Sequence, residues 1–406
     1  MRMKLGRPVW LLAKRALAMI PVIGLAGAVS MSAAEQMVPA LGPLPAPPKF
    51  DAKKAEIGKL LFYEKRMAQD ANRACFECHN AKEGYTTRLD LSDGYPATKH
   101  YRNAPTLLNS AYLDDLFWHG SQGDLETAVQ WHMAAAFFMN ADSRYIAERL
   151  HQIPQYNDMF KVVYPDKLYI TPDINNAVAE YVRSLVSDPK QIPFDRAMTG
   201  GAALSPEAQR GMDLFKGKAN CIQCHNGPLL TDEKFYNTAV PHNPVLDSDP
   251  ERQIAMRYEY FIIGVTEYVN NPTRDWGQYI ISHQPEDKGK FRTAPLRELK
   301  YTAPYMHNGV LKTLEQVVEF YNVGGGNDPL IAPTKSQMMR PLGLSPSEKK
   351  DLVAFLLSLS SDAQPHAEVP TKVGEEHILY GVFPRETWHY SPDNLKAMPK
   401  SVKDTR

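Results

Sequence analysis

The sequence predicts a mostly α-helical fold made of two similar halves with long loops. Two octads of the form A-x-x-G-x-x-L-F begin at Ala55 and Ala208. Two further apolar helical segments, residues 179–188 and 353–362, follow downstream in the same order. No alternating polar and apolar run of useful length indicates a β-strand. An ordered series of this kind is the sign of an internal repeat.

Hydroxyl-proline pairs mark the start of several of these helices. They occur at residues 171–172 (Thr-Pro), 205–206 (Ser-Pro) and 345–346 (Ser-Pro). A serine or threonine cap followed by proline at the first helical position favours helix initiation. The octad glycines, Gly58 and Gly211, lie in the helix interiors, where a missing side chain permits close crossing with a second helix. We therefore expect each octad helix to pack tightly on another helix.

All four cysteines belong to two C-x-x-C-H motifs, at residues 75–79 and 221–225. This is the attachment sequence of c-type haem, because two thiols on one turn can reach both vinyl groups while the adjacent imidazole binds iron. A redox dithiol, a Cys₂His₂ zinc site and disulfides are the alternatives. A dithiol does not need the trailing histidine, and 146 residues separate the motifs. We predict two covalently bound haem c groups. The attachment residues are Cys75, Cys78, Cys221 and Cys224, and the iron ligands are His79 and His225.

Residues 1–34 have the form of an export signal. They contain five basic residues and no acidic one, an apolar run over 16–29, and a final Ser-Ala-Ala that signal peptidase accepts. An uncleaved anchor is the alternative, but the apolar core is short for a bilayer. We expect cleavage before Glu35 and a periplasmic protein with no membrane segment. The remaining 41 basic and 46 acidic residues form no basic stripe, which argues against nucleic acid as a partner.

The landmarks divide the chain into segments. Residues 35–49 are rich in proline and predict an extended, mobile lead. Residues 50–197 and 204–362 are predicted to form the N-terminal and C-terminal cytochrome c-like domains, each with a helix, a haem motif and a closing helix. Small residues link the two. Residues 363–406 are a C-terminal tail, predicted to be either a strap over the body or part of a docking surface.

Several strings over residues 50–362 resemble the bacterial di-haem cytochrome c peroxidase superfamily. They are residues 102–107 (RNAPTL), 117–120 (FWHG), 291–299 (FRTAPLREL), 302–309 (TAPYMHNG) and 313–322 (TLEQVVEFYN). Within that superfamily the sequence is similar to the MauG-like members, which complete a tryptophan-derived cofactor on another protein. The resemblance implies a peroxide-dependent oxidoreductase whose first haem is peroxidatic.

Tyr321 is the residue that favours the MauG-like members. Thr313 and Gln316 predict a capping box, and an apolar i, i+3, i+4, i+7 face starting at Leu314 predicts that Tyr321 points inward. The resemblance implies that Tyr321 ligates the second iron where ordinary members have methionine. A phenolate is a hard anionic ligand that favours oxidised iron. A core tyrosine is the alternative, and Met306, Met338 and Met339 are then the alternative ligands.

The resemblance also implies an electron relay and a calcium site. Trp118 matches the tryptophan between the haems, although a buried tryptophan is usually core packing. Asn103, Thr302 and Pro304 match the positions that bind calcium near the domain junction. One side-chain and two backbone oxygens suit this hard cation, but Asn103 is nearly as well explained as a turn residue.

The distal pocket of the first haem departs from the family pattern. The position of the family glutamate, which moves the peroxide proton, is Phe138. The nearby candidates are His132, Gln130 and Glu126. We expect His132 to act as the base and Gln130 to donate a hydrogen bond to the developing oxygen. Alternatively, His132 ligates the iron and blocks peroxide, or is an ordinary helix histidine.

A second departure from the family pattern concerns the partner. MauG-like members have a tryptophan two places before the second haem cysteine, and this chain has Ala219 there. Trp276, Trp388 and Tyr236 are the alternative routes for electrons.

The function predicted from these residues is peroxide-driven oxidation of an exported protein. Hydrogen peroxide would generate a high-valent di-haem state that oxidises tryptophan residues of the partner, either in quinone cofactor formation or on another protein such as a copper-binding one. One alternative is a cytochrome c peroxidase that takes electrons from a small redox protein. The other is a non-catalytic electron-transfer protein with both irons six-coordinate.

Overall fold

The computed structural model describes residues 40–94, 98–266 and 273–369, and this part of the chain is mostly helical, as predicted. The N-terminal helices are α1 (Ala52–Tyr63), α2 (Leu125–Ala134), α3 (Ser143–His151), α4 (Pro154–Val163), α5 (Thr171–Ser184) and α6 (Pro193–Met198). The others are α7 (Pro206–Lys216), α8 (Val245–Ser248), α9 (Pro250–Ile262), α10 (Tyr279–Ser282), α11 (Leu314–Asn322) and α12 (Pro346–Ser358). Strands β1 (Phe235–Tyr236) and β2 (Phe291–Arg292) pair antiparallel. The predicted signal segment lies outside the described residues.

Two of the three predicted helix starts have the expected caps. The Ser205 hydroxyl accepts the Ala208 N–H at 3.2 Å at the start of α7. At the start of α12, the Ser345 hydroxyl accepts the Glu348 N–H at 3.2 Å, and the Glu348 carboxylate accepts the Ser345 N–H at 2.7 Å. This reciprocal pair is a complete capping box. It holds the first turn of the closing helix of the second half.

The third start differs from the prediction. Thr171 is the first residue of α5 rather than its cap, and its hydroxyl donates to the Ser143 carbonyl at 2.9 Å. The Asp173 carboxylate instead accepts the Ile170 N–H at 2.9 Å. A carboxylate in the first turn also complements the helix dipole. Both closing helices end earlier than the apolar pattern suggested, at Ser184 and Ser358.

The two octad glycines lie at close helix crossings, which confirms that prediction. A Cβ on Gly58 of α1 would lie 1.8 Å from the carbonyl oxygen of Ala177 in α5. A Cβ on Gly211 of α7 would lie 2.0 Å from the carbonyl oxygen of Asp351 in α12. No side chain fits at either distance. Each half is therefore built on a helix pair that crosses through a glycine.

Apolar clusters pack around these helix pairs. One cluster joins α1, α3, α4 and α5 and includes Ile57, Leu61 and Ile174. Another joins α7, α11 and α12 and includes Phe215 and Phe355, whose ring centroids lie 5.1 Å apart. Each C-x-x-C-H turn follows the first helix of its pair, so the two clusters hold the two turns in corresponding places.

The described part of the proline-rich lead packs on the second half, which the sequence did not predict. The Gly227 N–H donates to the Ala40 carbonyl at 2.7 Å, and Arg297 donates to the Gly42 carbonyl at 2.9 Å. Leu44 is buried in the cluster around α7 and α12. These contacts fix the lead, because they bury its backbone acceptors and an apolar side chain.

The start of the C-terminal tail lies against the first half. The Tyr85 hydroxyl donates to the backbone carbonyl of His366 at 3.1 Å. The ring of His366 contacts the Val186 carbonyl. Gln364 donates to the Ala81 carbonyl. Residues beyond 369 lie outside the described part of the chain.

Candidate functional site

The first C-x-x-C-H motif forms a 3₁₀ turn that presents its histidine to the interior. His79 is buried, and its Nδ1 lies 3.1 Å from the carbonyl oxygen of Tyr85. That hydrogen bond leaves Nε2 free to bind a metal. Burial, and next the neighbouring His132, lowers the pKa of His79 to about 4, so the imidazole is neutral. Cys75 and Cys78 are free thiols whose pKa values burial raises to about 12 and about 11.

The second motif repeats this arrangement. The Nδ1 of His225 lies 2.9 Å from the Leu230 carbonyl, which again leaves Nε2 free. Burial lowers the pKa of His225. The motif lines a largely apolar cavity of about 290 Å³, and both Cys221 and Cys224 contribute to its wall. The two motifs thus provide equivalent imidazole ligands from equivalent turns.

His132 on α2 lies opposite His79. The centroids of the two imidazole rings are 6.1 Å apart, and the rings are inclined by 70°. The Nδ1 of His132 lies 2.8 Å from the Ala128 carbonyl, so its Nε2 is also free. Two metal–nitrogen bonds of about 2 Å, with half of each ring added, span about 6 Å. The ring separation is therefore compatible with one metal ion held by both histidines.

Aromatic rings hold His132 in this position. Phe138, at the place of the family glutamate, stacks on the His132 ring at 4.5 Å and on the His100 ring at 4.7 Å. The Phe117 ring meets His132 edge-on at 5.0 Å. Phe138 thus fills the place of the missing carboxylate with apolar packing.

The other two distal candidates do not join His132. Gln130 is exposed, because residues two positions apart on a helix point to nearly opposite sides. The structure therefore does not bring Gln130 together with His132, and its role as a hydrogen-bond donor stays a prediction. Glu126 pairs with Arg183 at 3.0 Å and accepts from Asn176 at 3.0 Å. Its carboxylate is therefore already paired with two side chains of α5.

Tyr321 lines the cavity of the second motif. Burial, and then the neighbouring thiols of Cys221 and Cys224, raises the pKa of the Tyr321 phenol. The side chain is therefore close to the second C-x-x-C-H turn, and a bound iron would stabilise its phenolate. The three methionine alternatives line the same cavity. They are Met306, Met338 and Met339.

The helix that carries Tyr321 largely follows the predicted pattern. Leu314 and Val318 are buried, and the Thr313 hydroxyl accepts the Gln316 N–H at 3.3 Å. The Gln316 side chain accepts the N–H of Lys312 rather than that of Thr313, so the reciprocal half of the capping box is displaced by one residue.

Residues 117 and 118 connect the two sites. Phe117 contacts His132 of the first site, and Trp118 lines the cavity of the second. The indole N–H of Trp118 donates to the Asn103 carbonyl at 2.8 Å, which fixes the ring. Two consecutive residues of the chain thus contact the two sites, one each.

The proposed calcium residues share one wall of the cavity. Asn103, Thr302 and Pro304 all line it. The side-chain amide of Asn103 donates to the Leu89 carbonyl at 2.8 Å, which leaves its oxygen for a hard cation. In the described ranges, no group of three or more histidine, cysteine, aspartate or glutamate side chains is placed to hold a metal ion.

Arg292 provides a test of whether a haem fits the second site. Its guanidinium is buried on the cavity wall and donates to the backbone carbonyls of Phe117 at 3.3 Å and Thr293 at 3.5 Å. Burial lowers the pKa of Arg292. The carboxylates of Glu233 and Asp115 also act on Arg292, but its hydrogen bonds are long ones to carbonyls. A buried cation of this kind suits a further anionic group, and haem carries two carboxylates. The thiols, the free Nε2 atoms and this cation together fit haem.

Of the described residues considered as routes for electrons, Tyr236 and Ala219 line the cavity and Trp276 does not. Ala219 is buried with Phe215 and Ile222, and Trp276 is buried in a separate cluster around α9. Tyr236 lines the cavity together with Cys221 and Cys224 of the second C-x-x-C-H turn. Trp388 lies outside the described residues.

A buried polar network between the halves was missed by the sequence reasoning. Arg102 forms a bidentate ion pair with Asp275 at 2.6 and 2.7 Å and contacts the His119 Nδ1 at 2.9 Å. Glu259 accepts the Tyr101 hydroxyl and faces the His119 Nε2 at 3.6 Å. Arg102 and Asp275 are 173 positions apart. In the sequence, Arg102 stood out only as the first residue of the family string at 102–107.

The comparisons with known proteins identify the family. The family described as "Di-haem cytochrome c peroxidase" matches residues 52–203. Cytochrome-c peroxidase IdrP1 of Denitromonas iodatirespirans is 44% identical over 348 residues, which cover 84% of this chain and 92% of the relative. The chain belongs to the di-haem cytochrome c peroxidase family. It is therefore a peroxide-dependent di-haem oxidoreductase.

Members of the MauG branch are also similar. Methylamine utilization protein MauG of Methylorubrum extorquens is 30% identical over 315 residues, which cover 76% of this chain and 79% of the relative. A crystal structure of a MauG-like protein associated with microbial copper homeostasis superposes with a TM-score of 0.67 at 26% identity, covering 82% of this chain and 97% of that one. Both branches of the di-haem cytochrome c peroxidase family therefore share this architecture.

Within the described residues, no helix is both long and apolar enough to cross a bilayer.

Proposed function

We propose that the protein reduces hydrogen peroxide with electrons delivered by a small redox protein. The observation that carries this proposal is Ala219. A MauG-type route needs an oxidisable indole at that position, and the methyl group present here is 5% exposed in the core. The likeness to cytochrome-c peroxidases at 44% identity, against 30% for MauG, supports the same conclusion.

The cofactors in this proposal are two haem c groups, and calcium is a further candidate. Cys75 and Cys78 would attach the first haem, and Cys221 and Cys224 the second. Bound haem supplies the redox-active iron that reacts with peroxide and accepts electrons. Asn103, Thr302 and Pro304 would hold calcium. Because these haems are attached outside the cytoplasm, the proposal places the mature protein, without residues 1–34, in the periplasm.

His132 has two successive roles in the proposal. In the resting protein, its Nε2 would bind the first haem on the face opposite His79, which the 6.1 Å ring separation permits. Peroxide then has access only after the His132 side chain moves away. A neutral imidazole that is no longer bound to iron can take a proton at Nε2. Phe117 and Phe138, whose rings pack on His132, would make this face apolar.

A second candidate function is supported by Tyr321. If its phenolate ligates the second haem, oxidised iron is favoured there, which suits a slow oxidation of an exported protein partner as in MauG-like enzymes. The copper-associated MauG-like structure is the neighbour that fits this candidate. Trp118 would serve as the relay between haems in either function.

Stopped-flow spectroscopy separates the two functions. The mature protein, with two haems verified by mass, is mixed with stoichiometric hydrogen peroxide and then with reduced cytochrome c. We expect rapid oxidation of cytochrome c at a rate that depends on peroxide. A peroxide-derived species that persists, ignores cytochrome c and disappears only with an oxidised protein partner would contradict the peroxidase proposal and support the second candidate.

Replacing Tyr321 with phenylalanine is expected to change the optical spectrum of the second haem, because the ring remains but the ligating oxygen is lost. The measurement is ferric absorption and EPR of the variant at equal haem content. Tyr305→Phe is the matched control, since Tyr305 lines the same cavity and its hydroxyl donates to the Leu299 carbonyl at 2.9 Å. Unchanged spectra for Tyr321→Phe would move the ligand assignment to Met306, Met338 or Met339.

A further inference from the structure

A second phenol lies beside the attachment turn of the second haem. Tyr236 is on β1, is partly exposed, and lines the cavity together with Cys224 and His225. Its hydroxyl donates to the Asp232 carboxylate at 2.8 Å and also interacts with the Cys224 thiol. The phenol therefore connects solvent with a haem attachment atom.

Asp232 is held at this place by the backbone. Its N–H donates to the Cys224 carbonyl at 2.8 Å, and its second carboxylate oxygen accepts the Lys234 N–H at 3.0 Å. The oxygen that faces Tyr236 is therefore oriented by the attachment turn itself. A carboxylate fixed at hydrogen-bond distance is a suitable proton acceptor for a phenol.

Oxidation of Tyr236 requires such an acceptor. Burial, and then the hydrogen bond to Asp232, raises the pKa of the phenol, so the hydroxyl is protonated at neutral pH. Removing one electron from a protonated phenol is favourable only if the proton leaves with it. Asp232 is the group in hydrogen-bond contact that can take that proton.

We infer that Tyr236 is the redox-active residue through which electrons enter the second haem, with Asp232 as its proton acceptor. This rests on the proposed haem attachment at Cys224 and names the electron route of the proposed function. Tyr236 gives one electron to the oxidised cofactor and its hydroxyl proton to Asp232, leaving a neutral tyrosyl radical and a carboxylic acid. The external reductant returns the electron, and Asp232 returns the proton. Hydrogen peroxide is the terminal oxidant.

The other cavity tyrosines lack this chemistry. The Tyr305 hydroxyl donates to a backbone carbonyl, which cannot accept a proton. Tyr321 is the proposed iron ligand. Ala219 provides no oxidisable ring. Among the tyrosines that the structure describes in this cavity wall, Tyr236 is the one hydrogen-bonded to a carboxylate.

The test is freeze-quench EPR of the full-length holoprotein after mixing with hydrogen peroxide. We expect a tyrosyl radical signal in the wild type and in Tyr305→Phe, and its loss in Tyr236→Phe. In Asp232→Asn, which keeps the shape but removes the base, the radical should form about 10²-fold more slowly. Oxidation of reduced cytochrome c should slow about tenfold or more in Tyr236→Phe.

Measurements of haem content and peroxide consumption show whether a negative result contradicts the proposed function or only the role of Tyr236. A wild-type protein that lacks two haems or does not consume peroxide would overturn the proposed function. A wild type with both properties but no tyrosyl radical, or a Tyr236→Phe variant with an unchanged radical and unchanged donor oxidation, would overturn the inference alone. A loss of radical in Tyr305→Phe with its retention in Tyr236→Phe would assign the role to the other phenol.

Discussion

Replacing Gly211 with alanine is expected to destabilise the second half by about 3 kcal/mol, at the upper end of what overpacking of a tight core costs. The added methyl would lie 2.0 Å from the Asp351 carbonyl and 2.8 Å from the Phe355 Cβ, so α7 and α12 must separate. Their separation would loosen the cluster that supports the second haem turn. Thermal unfolding of the holoprotein, followed by circular dichroism, should shift down by roughly 5 °C.

Gln209→Ala is the matched control, because Gln209 is an exposed residue on the same helix. Its unfolding temperature should stay close to that of the wild type. Gly58→Ala should behave like Gly211→Ala, since its methyl would lie 1.8 Å from the Ala177 carbonyl. Equal unfolding temperatures for the glycine variants and the control would show that the crossings can relax at little cost.

Replacing His132 with alanine is expected to convert the first haem from six-coordinate low-spin to high-spin iron. We expect this change because the variant lacks the iron ligand that faces His79. Ferric EPR and optical spectra should show one high-spin haem per molecule in the variant, and added imidazole should restore the low-spin signal by occupying the vacated place. Binding of cyanide, which needs an open position, should become faster in the variant.

Gln130→Ala serves as control for the same helix and should leave the spin state unchanged, because Gln130 is exposed. The contrary result for His132→Ala is an unchanged spin state with peroxide cleavage slowed by roughly 10²–10⁴-fold. That outcome would assign His132 as a base that never ligates the iron.

The helix pairs and the C-x-x-C-H turns were predictable because their signals are local. A C-x-x-C-H string contains both cysteines and the histidine within five positions. Gly58 and Gly211 interrupt apolar helical patterns that otherwise favour larger side chains. Whether Gln130 lies beside His132 could have been judged from local information. Once α2 is a helix, its 100° rotation per residue prevents Gln130 and His132 from sharing a face.

The contacts that decide the chemistry are long-range and could not be read from the sequence. His132 faces His79 across 53 positions of chain, with a loop and two aromatic residues determining the approach. The same holds for the pairing of Arg102 with Asp275. The Thr171 error has a smaller cause, since Asp173 competes with the threonine hydroxyl for the first free amides of α5.

The hydrogen bond of Trp118 determines whether this residue can transfer a proton together with an electron. Its indole N–H donates to a backbone carbonyl, which is not a base, so an electron can leave the ring while the proton stays. Tyr236 differs, because its hydroxyl proton has a carboxylate to go to. In their proposed roles, transfer between the haems would then be insensitive to deuterated solvent, whereas electron entry from outside would show a solvent isotope effect. Protons would thereby move only at the peroxide site and at Tyr236, and electrons alone would pass between the haems through Trp118.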